Sequence, residues 1–518
     1  MSGPTLKEKL FNRRGLIVAQ RQSDGKTVVL DRRRAAKRKL NAAKTDRLFS
    51  DWQVTSRPIN EELRYALDIV RNRSRDLEQN SEIARRFLQL VETHMVGPEG
   101  FHLTVQGLNR SGSDDQRNNA RIESSFWDWA RRGTADITGR YSLLDILRIS
   151  ARTAARDGEC LIRIHDDLPP NRANPYGFAL EMVDPARIDT LRHTDGKDGS
   201  RTRLGIVLDR LNRPEGFWII TGADPNTYPG GHAAELFDAK KFIHAYISDR
   251  PEQYRGLPWM TAVMDLIHML DEYQDAALVA SRVGAAKMGF FQTPDGNLNP
   301  LATEIDETGT LLDEVVAGQF SALPPGYQFQ PFNPDYPHQL YREFTSTILR
   351  SIAAGLNVSY HALTGDLTQV NFSSIRSGTI EERENWMTRH DWMISSILEP
   401  IYLRWLDRSL GIKAINGLPA LPADELYARF RLHTWRGRRW PWVDPLKDIE
   451  ATITAVNAGF KSPQQAAADL GVDIETVLTD IQRFNEMAAA QGLGLAYGQS
   501  PPSSSKPTGS DHGPTQAE

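Results

Sequence analysis

The stretch Asn371-Phe372-Ser373-Ser374-Ile375-Arg376 belongs to a polar segment, 365–378, that opens and closes with glycine and separates two apolar-patterned segments. Before it, 339–356 has apolar residues at helical spacing, and after it, 379–410 places Ile380, Met387 and Ile394 on one helical face. Glycine with Thr, Gln, Asn and Ser is typical of an exposed connection. The sequence therefore predicts a polar loop between two helices, the second kinked at Pro400 because proline removes a helical hydrogen bond and clashes with the preceding turn.

A longer helix is predicted upstream, over 259–287, where no proline follows Pro258 and apolar residues recur at helical spacing. At 1.5 Å per residue it would be about 40 Å long. Its acidic residues Asp265, Asp271, Glu272 and Asp275 share an arc of roughly 120° opposite the apolar face. Between this helix and 339–356, the segment 289–337 is rich in Gly, Pro and Asn and predicts a small inserted module with one helix near 311–320.

The rest of the chain indicates an α+β protein with small mixed sheets. Two helices are predicted in 59–94, separated by a break over 73–81, and further helices at 122–131 and 143–155. Alternating or short apolar runs predict strands at 101–105, 160–164, 178–183, 205–208, 216–221 and 242–247. Two helices are predicted at the C-terminal end, over 445–458 and 474–491, followed by a disordered low-complexity tail.

Charge is unevenly distributed along the 518 residues. Residues 1–48 hold 14 Lys and Arg against 4 Asp and Glu, a net of +10, which leaves −14 for the remainder because the whole chain carries −4. An acidic body argues against a conventional duplex-binding protein, since Lys and Arg supply most non-specific affinity for DNA. The basic arm can be a solvated tail or a contact for nucleic acid or another protein, and the sequence leaves both open.

Motifs for catalysis are not found. Gly25-Lys26-Thr27 lacks the first glycine of a phosphate-binding loop, where Gln20 stands instead. The twelve histidines have no metal-ligand spacing, and the single Cys160 excludes an internal disulfide. We therefore expect no enzyme, no metal and no cofactor. An 18-residue apolar run is also absent, so neither a membrane span nor secretion is expected.

One local pattern favours a different function. Residues 459–484 contain a small-residue helix, a turn at Gly471 and a second helix, as in a helix-turn-helix. That second helix carries Asp473, Glu475 and Asp480 against Arg483, which would repel phosphates. A helical hairpin in a structural domain is favoured, with a DNA-binding regulator as the alternative function.

Several motifs together resemble the lambda-like bacteriophage portal family, and NFSSIR at 371–376 is the most specific of them. The resemblance covers roughly residues 50–495. The other matching stretches are WDW at 127–129, GR at 139–140, RDGE at 156–159, RGLPW at 255–259, LPPGY at 323–327, NPDYP at 333–337, FTSTILR at 344–350, IAAGLNVSY at 352–360 and DPLK at 444–447.

The resemblance implies a multidomain portal fold of wing, stem, clip and crown, with long stem and wing helices. The expected boundaries are a basic arm, 1–58; the first part of the wing, 59–258; a stem helix, 259–288; the clip, 289–337; a second stem helix and turn, 338–364; a tunnel loop, 365–378; the second part of the wing, 379–444; a helical crown, 445–495; and a disordered tail, 496–518.

The resemblance further implies a homo-oligomeric ring, a dodecamer, at the portal vertex of the virion head, assembled in the host cytoplasm. Its expected partners are the terminase large subunit, head-completion or connector proteins, the major capsid or scaffold protein, and double-stranded DNA passing through without sequence preference. Genome packaging, head-tail connection and DNA ejection are the expected functions.

Two sets of residues are predicted to face the DNA. The first is an acidic stem face, where negative charge would keep phosphates mobile: Asp265, Glu272 and Asp275. The second is the tunnel loop, whose polar groups would make brief phosphate contacts: Thr368, Gln369, Asn371, Ser373, Ser374 and Arg376. For Arg376, DNA contact and a structural pairing with Asp366 or a neighbouring subunit stay open.

Overall fold

A computed structural model gives the fold of the chain. It describes residues 17–21, 27–31, 57–196, 199–221, 233–285, 289–292, 304–305, 311–312, 328–331, 340–368, 372–440, 445–469 and 474–493. Residues 1–62 and 63–518 form two units. In the first, β1 (Ile17–Arg21) pairs antiparallel with β2 (Thr27–Asp31). Within the described ranges no helix is long and apolar enough to cross a membrane.

The described helices follow the predicted order closely. They are α1 (Ile59–Asn80), α2 (Glu82–Met95), α3 (Gln116–Trp129), α4 (Leu143–Asp157), α5 (Met264–Ala285), α6 (Tyr341–Gly355), α7 (Tyr360–Thr364), α8 (Phe372–Met393), α9 (Glu399–Gly411), α10 (Ala423–Phe430), α11 (Pro445–Asn457), α12 (Pro463–Asp469) and α13 (Ile474–Ala490).

The strands form small sheets in which every described strand pair is antiparallel, so the prediction of mixed sheets is wrong. One sheet has the order β11-β4-β5 and another β10-β9-β8-β7-β6. The strands are β3 (His102–Val105), β4 (Glu159–His165), β5 (Ala179–Val183), β6 (Thr194–Asp195), β7 (Arg201–Arg203), β8 (Ile206–Leu208), β9 (Pro214–Ile220), β10 (Ala234–Asp238), β11 (Phe242–Tyr246), β12 (Gly289–Gln292), β13 (Glu304–Ile305), β14 (Leu311–Leu312), β15 (Gln328–Pro331) and β16 (His433–Arg436).

Three local predictions are corrected. The break expected over 73–81 is confined to Ser81, because the polar residues of 73–80 that suggested it remain helical and form ion pairs. The polar loop ends earlier than Gly378, since α8 already begins at Phe372. The helix expected near 311–320 is wrong at its start, where Leu311 and Leu312 pair with β13 as a strand; the rest of it lies outside the described residues.

The helical run continues through the region of Pro400, where a kink was predicted, but it changes its hydrogen-bonding pattern just before the proline. Between α8 and α9 the residues Ile394–Leu398 form one π-helical segment, and Pro400 is the second residue of α9. Proline has no N–H to bond the carbonyl four residues earlier, which is that of Ser396. The wider turn at this point accommodates the missing bond.

An aromatic cluster holds α3 against α9 in the main core. Phe126 and Trp129 from α3 and Tyr402 and Trp405 from α9 are fully buried. The ring of Phe126 lies 5.1 Å from that of Trp405 and 5.7 Å from that of Tyr402, centroid to centroid. Such edge-to-face pairs add to the free energy of burying large side chains. Trp129 and Trp405 are therefore core residues.

A buried carboxylate, Glu159 at the start of β4, joins several elements. It accepts hydrogen bonds from Arg71 of α1 (2.7 Å), from Arg255 (2.5 and 2.8 Å) and from His244 of β11 (2.8 Å). Burial alone would raise the pKa of Glu159, but the charge of Arg255 and the bond from His244 hold it well below its usual range. The carboxylate is therefore ionised and fully bonded inside the fold.

The same place brings two backbone segments into contact. Gly158 ends α4 with φ of 91°, and a Cβ there would overlap the backbone of Gly256 and Leu257. Glycine alone tolerates both the left-handed conformation and the approach. The segment 255–259 therefore lies directly against the start of β4 before the chain enters α5.

Replacing Glu159 with Gln tests this arrangement. We expect E159Q to lower the free energy of unfolding by roughly 3–5 kcal/mol, because Arg71 and Arg255 would stay buried without a counter-charge. The control is Glu99→Gln, at an 83% exposed side chain, which should stay within about 0.5 kcal/mol of wild type. Urea unfolding measures both.

The same experiment has a pH dependence. A carboxyl with a lowered pKa stabilises the fold above its unfolded pKa, about 4, and this contribution declines as pH falls towards the folded value. The difference between wild type and E159Q should therefore shrink below about pH 4. A constant difference down to pH 2, or equal stability at pH 7, would contradict this role of the ion pair.

Candidate functional site

Helices α5 and α6 form an antiparallel pair on either side of the insertion. Val263, just before α5, lies against Gly355 at the end of α6, while Tyr273 stacks on Tyr341 at the start of α6 with ring centroids 5.8 Å apart. Ile267, Leu270 and Ile352 are buried in the core to which both helices belong. The described part of the predicted stem is therefore a packed helical hairpin.

The predicted acidic stem face is on the exposed side of α5. Asp265, Glu272 and Asp275 are all exposed, and Glu272 lies 3.3 Å from His268 one turn away. Asp271, counted with them on the sequence arc, is half-buried, and desolvation raises its pKa. Exposed carboxylates with no nearby Lys or Arg in ion-pair distance among the described residues can repel a polyanion.

Apolar residues share this exposed side, which the sequence analysis did not single out. Met269 is 57% and Val279 55% exposed, and both fall within the same arc of α5 as Asp265 and Glu272. Large exposed apolar side chains grouped on one helix mark a protein contact more often than a solvated surface. The exposed side of α5 thus combines an acidic and an apolar character.

Only part of the predicted tunnel loop can be described. Thr368 is exposed, its hydroxyl donates to Asp366 (2.7 Å), and it accepts from the Arg342 guanidinium of α6 (3.3 Å). These bonds from Thr368 hold the pKa of Asp366 below its usual range. The loop is therefore bonded to the start of α6. The contact with Arg342 has no signal in the sequence, because Arg342 and Thr368 are distant along the chain and meet only in the folded protein.

The remaining loop residues lie wholly or partly outside the described part of the chain. Gln369 and Asn371 lie outside the described residues. Ser373, Ser374 and Arg376 belong to the first turns of α8, and their side chains lie outside the described part. The described hydrogen bonds of Thr368 reach Asp366 and Arg342, and not the acidic face of α5.

Groups suited to covalent or metal chemistry are not assembled in the described ranges. No set of three His, Cys, Asp or Glu side chains there is arranged to hold a metal. Cys160 is buried in β4, and burial raises the pKa of its thiol to about 12, which keeps it protonated and unreactive. It acts as a small apolar core residue.

Comparisons with known proteins identify the class. A family model described as "Phage portal protein, lambda family" matches residues 45–390. The chain therefore belongs to the lambda family of phage portal proteins.

Individual relatives agree with this membership. The chain is 30% identical over 438 residues to a probable portal protein of Halomonas phage phiHAP-1, covering 83% of each. It is 23% identical to portal protein B of Escherichia phage lambda, over 81% of this chain and 84% of that protein. Among solved structures, the neck of an empty GTA particle computed with C6 symmetry is similar with a TM-score of 0.39 and 14% identity, covering 83% of this chain and 99% of the other.

Family membership confirms the prediction of a portal protein and of a non-enzymatic chain. It also removes the DNA-binding regulator as an alternative. The α+β composition is confirmed, with antiparallel rather than mixed sheets.

The close approach of α6 to the start of α5 gives a prediction for the helical hairpin. A methyl group at Gly355 would overlap Cγ1 of Val263, so G355A should lower the free energy of unfolding by about 1–3 kcal/mol despite the better helix propensity of Ala. Adding Val263→Ala removes the opposing methyls.

A double-mutant cycle by urea unfolding measures this coupling. The double variant V263A/G355A should be destabilised by less than the sum of the single changes, by at least about 0.5 kcal/mol. As a control, Gly411→Ala meets open space and should not couple to V263A. Additive effects of V263A and G355A would show that the two helices do not touch there.

Proposed function

We propose that copies of this portal protein close into a ring, a dodecamer, at one vertex of the virion head, and that DNA passes through it during packaging and ejection. The observation that carries this proposal is the helical hairpin of α5 and α6 with Asp265, Glu272 and Asp275 on its exposed side. A ring that repeats one heterologous contact brings the same face of each copy to its axis. Repeated carboxylates there would repel phosphates and let DNA slide.

Exposed apolar side chains supply candidate contacts between copies. Helix α11 exposes Leu446, Ile449 and Ile453 at helical spacing. Burying such residues against a neighbouring copy is the favourable term that could hold a ring together. The C-terminal helices α11 to α13 would then be the crown.

The other assignments follow the order of the chain. The segments 59–258 and 379–444 would form the wing, α5 and α6 the stem, and 365–371 with the first turn of α8 the tunnel loop. Thr368, Gln369, Asn371, Ser373, Ser374 and Arg376 would make short-lived phosphate contacts, with Arg376 either on DNA or on a protein partner. Free energy for translocation would come from the terminase, because the portal is not an enzyme.

The insertion 289–337 is proposed as the clip that binds the terminase large subunit and later the head-completion proteins. It stands between the two stem helices and has surface-like composition. Replacing it with a short linker should leave α5 and α6 paired, since the ring contacts of Tyr273 with Tyr341 and Phe344 lie outside it. A pull-down should then lose the terminase; retained binding would reject the assignment.

Lysine substitutions test the acidic face. A portal with Asp265→Lys, Glu272→Lys and Asp275→Lys should still assemble but package DNA more slowly, because each copy would now attract phosphates. The rate should recover as salt rises, since screening weakens the attraction. The measurement is packaged DNA length against time at low and high salt.

The matched control reverses three exposed acids elsewhere, with Glu215→Lys, Glu235→Lys and Asp407→Lys. It makes the same change in net charge and should package at close to the wild-type rate. If both triple variants slow packaging equally, net charge rather than the α5 face is responsible. If neither does, this face does not line the DNA path.

A further inference from the structure

A small cavity lies between the loop that follows α2 and the segment that follows β16. Its volume is about 230 Å³. The loop contributes Pro98, Glu99 and Gly100, and the other wall begins beyond Arg436, the last residue of β16. The remaining lining residues are His102, Gly437, Arg438 and Arg439. Pro98 is the largest apolar side chain among them.

Three arginines around this cavity, Arg148, Arg438 and Arg439, form what we call the arginine cluster. Arg148 donates to the carbonyl oxygens of Gly97 (2.8 Å) and Pro98 (3.2 Å), and so lies directly behind the loop. Arg438 donates to the carbonyl of Thr93, and Arg439 to the sulfur of Met387 (3.2 Å). Within the described ranges none of the three is in ion-pair distance of a carboxylate, so their charges are not neutralised there.

Acidic groups near the cavity are few. Glu99 is on the rim with 83% of its side chain exposed, 3.9 Å from His102. Two further carboxylates act on the histidines of this region, Glu382 on His94 and Asp391 on His390, and Glu382 accepts a hydrogen bond from the indole of Trp386 (3.2 Å). The pKa of Arg383 is lowered, first by burial and then by the positive charge of Arg438. The surroundings of the cluster are electropositive within an otherwise acidic body.

The cluster is held in place by a packed aromatic wall. Trp440 stacks on His390 with ring centroids 5.7 Å apart, and the Arg438 guanidinium lies 5.8 Å from the Trp440 ring. The indole of Trp440 donates to Nδ1 of His94 (3.2 Å), and Nε2 of His390 is 2.9 Å from the His94 carbonyl. Holding guanidinium groups in position before a ligand arrives lowers the entropy lost on binding.

We propose that the arginine cluster binds backbone phosphates of double-stranded DNA. Guanidinium groups suit phosphate because they present planar pairs of donors. A protein partner would normally require aromatic or aliphatic anchors at the centre of its contact, and this cavity has none beyond Pro98. This site is distinct from the acidic face of α5: one would retain DNA, whereas the other lets it slide.

The inference rests on the proposed function in one respect, namely that duplex DNA is the polyanion a portal meets. Binding to purified protein can nevertheless be tested without packaging. If Arg438 and Arg439 each neutralise one phosphate, removing both should reduce the slope of log affinity against log salt by about 1.8. Over a fourfold increase in salt, wild type would therefore lose about twelvefold more affinity than the variant.

The experiment uses the full chain and a fluorescent random-sequence duplex, with anisotropy titrations between low and moderate salt. Arg438→Gln/Arg439→Gln should show the reduced slope, and Arg438→Lys/Arg439→Lys should keep it, because lysine retains the charge. The control is Arg131→Gln/Arg213→Gln, two exposed arginines already paired with Asp128 and Asp209, which should bind like wild type. The basic arm is present in every protein and cancels in the comparison.

The outcomes are distinct. The single variant Arg439→Gln changes an exposed side chain and should therefore leave the fold intact. It should reduce the slope of log affinity against log salt by about half as much as the double variant. Equal slopes for the cluster variants and the control would overturn the proposal. Failure of packaging variants on α5 would leave this result untouched.

Discussion

The carboxylate of Glu159 lies where α1, β4, β11 and the segment leading into α5 meet, and it is bonded to all of them. Because a buried charge is costly without partners, this geometry permits little displacement of Arg71 or Arg255. The glycine contact between Gly158 and Gly256 fixes the same point through the backbone. The direction in which α5 leaves the sheets is thereby set by a charge and a steric constraint together.

The stretches RDGE at 156–159 and RGLPW at 255–259 meet at this carboxylate. The two stretches are about a hundred residues apart in sequence, yet they supply opposite sides of one ion pair and one close backbone approach. Their role is structural: they position a helical hairpin whose exposed side carries the charges proposed to face DNA. A portal without bond chemistry depends on such placement of charge.

The sequence predicted the order of helices and most strands because local periodicity follows from burial. It also predicted the exposure of Asp265, Glu272 and Asp275. In two places polar residues led to a wrong prediction of where a helix ends or begins. Arg75 and Glu78 suggested a break in α1 but are bonded within the fold, and the polar start of α8 suggested a loop although Phe372 already begins a helix.

Contacts between distant residues could not be predicted. Thr368 meets Arg342, and Arg438 meets Thr93, only because the fold brings separate elements together. A single sequence contains no signal for such pairs. The antiparallel pairing of every described strand pair was likewise not visible in short strands whose apolar patterns suit either direction.

We propose that the exposed side of α5 lines a DNA channel in a closed ring. A cryo-electron microscopy reconstruction of the assembled protein tests it most directly. If this proposal is right, the reconstruction will show closed rings in which Asp265, Glu272 and Asp275 of every copy face the central channel. A stable monomer under all assembly conditions, or a ring in which these carboxylates are buried between copies or face outward, would contradict it.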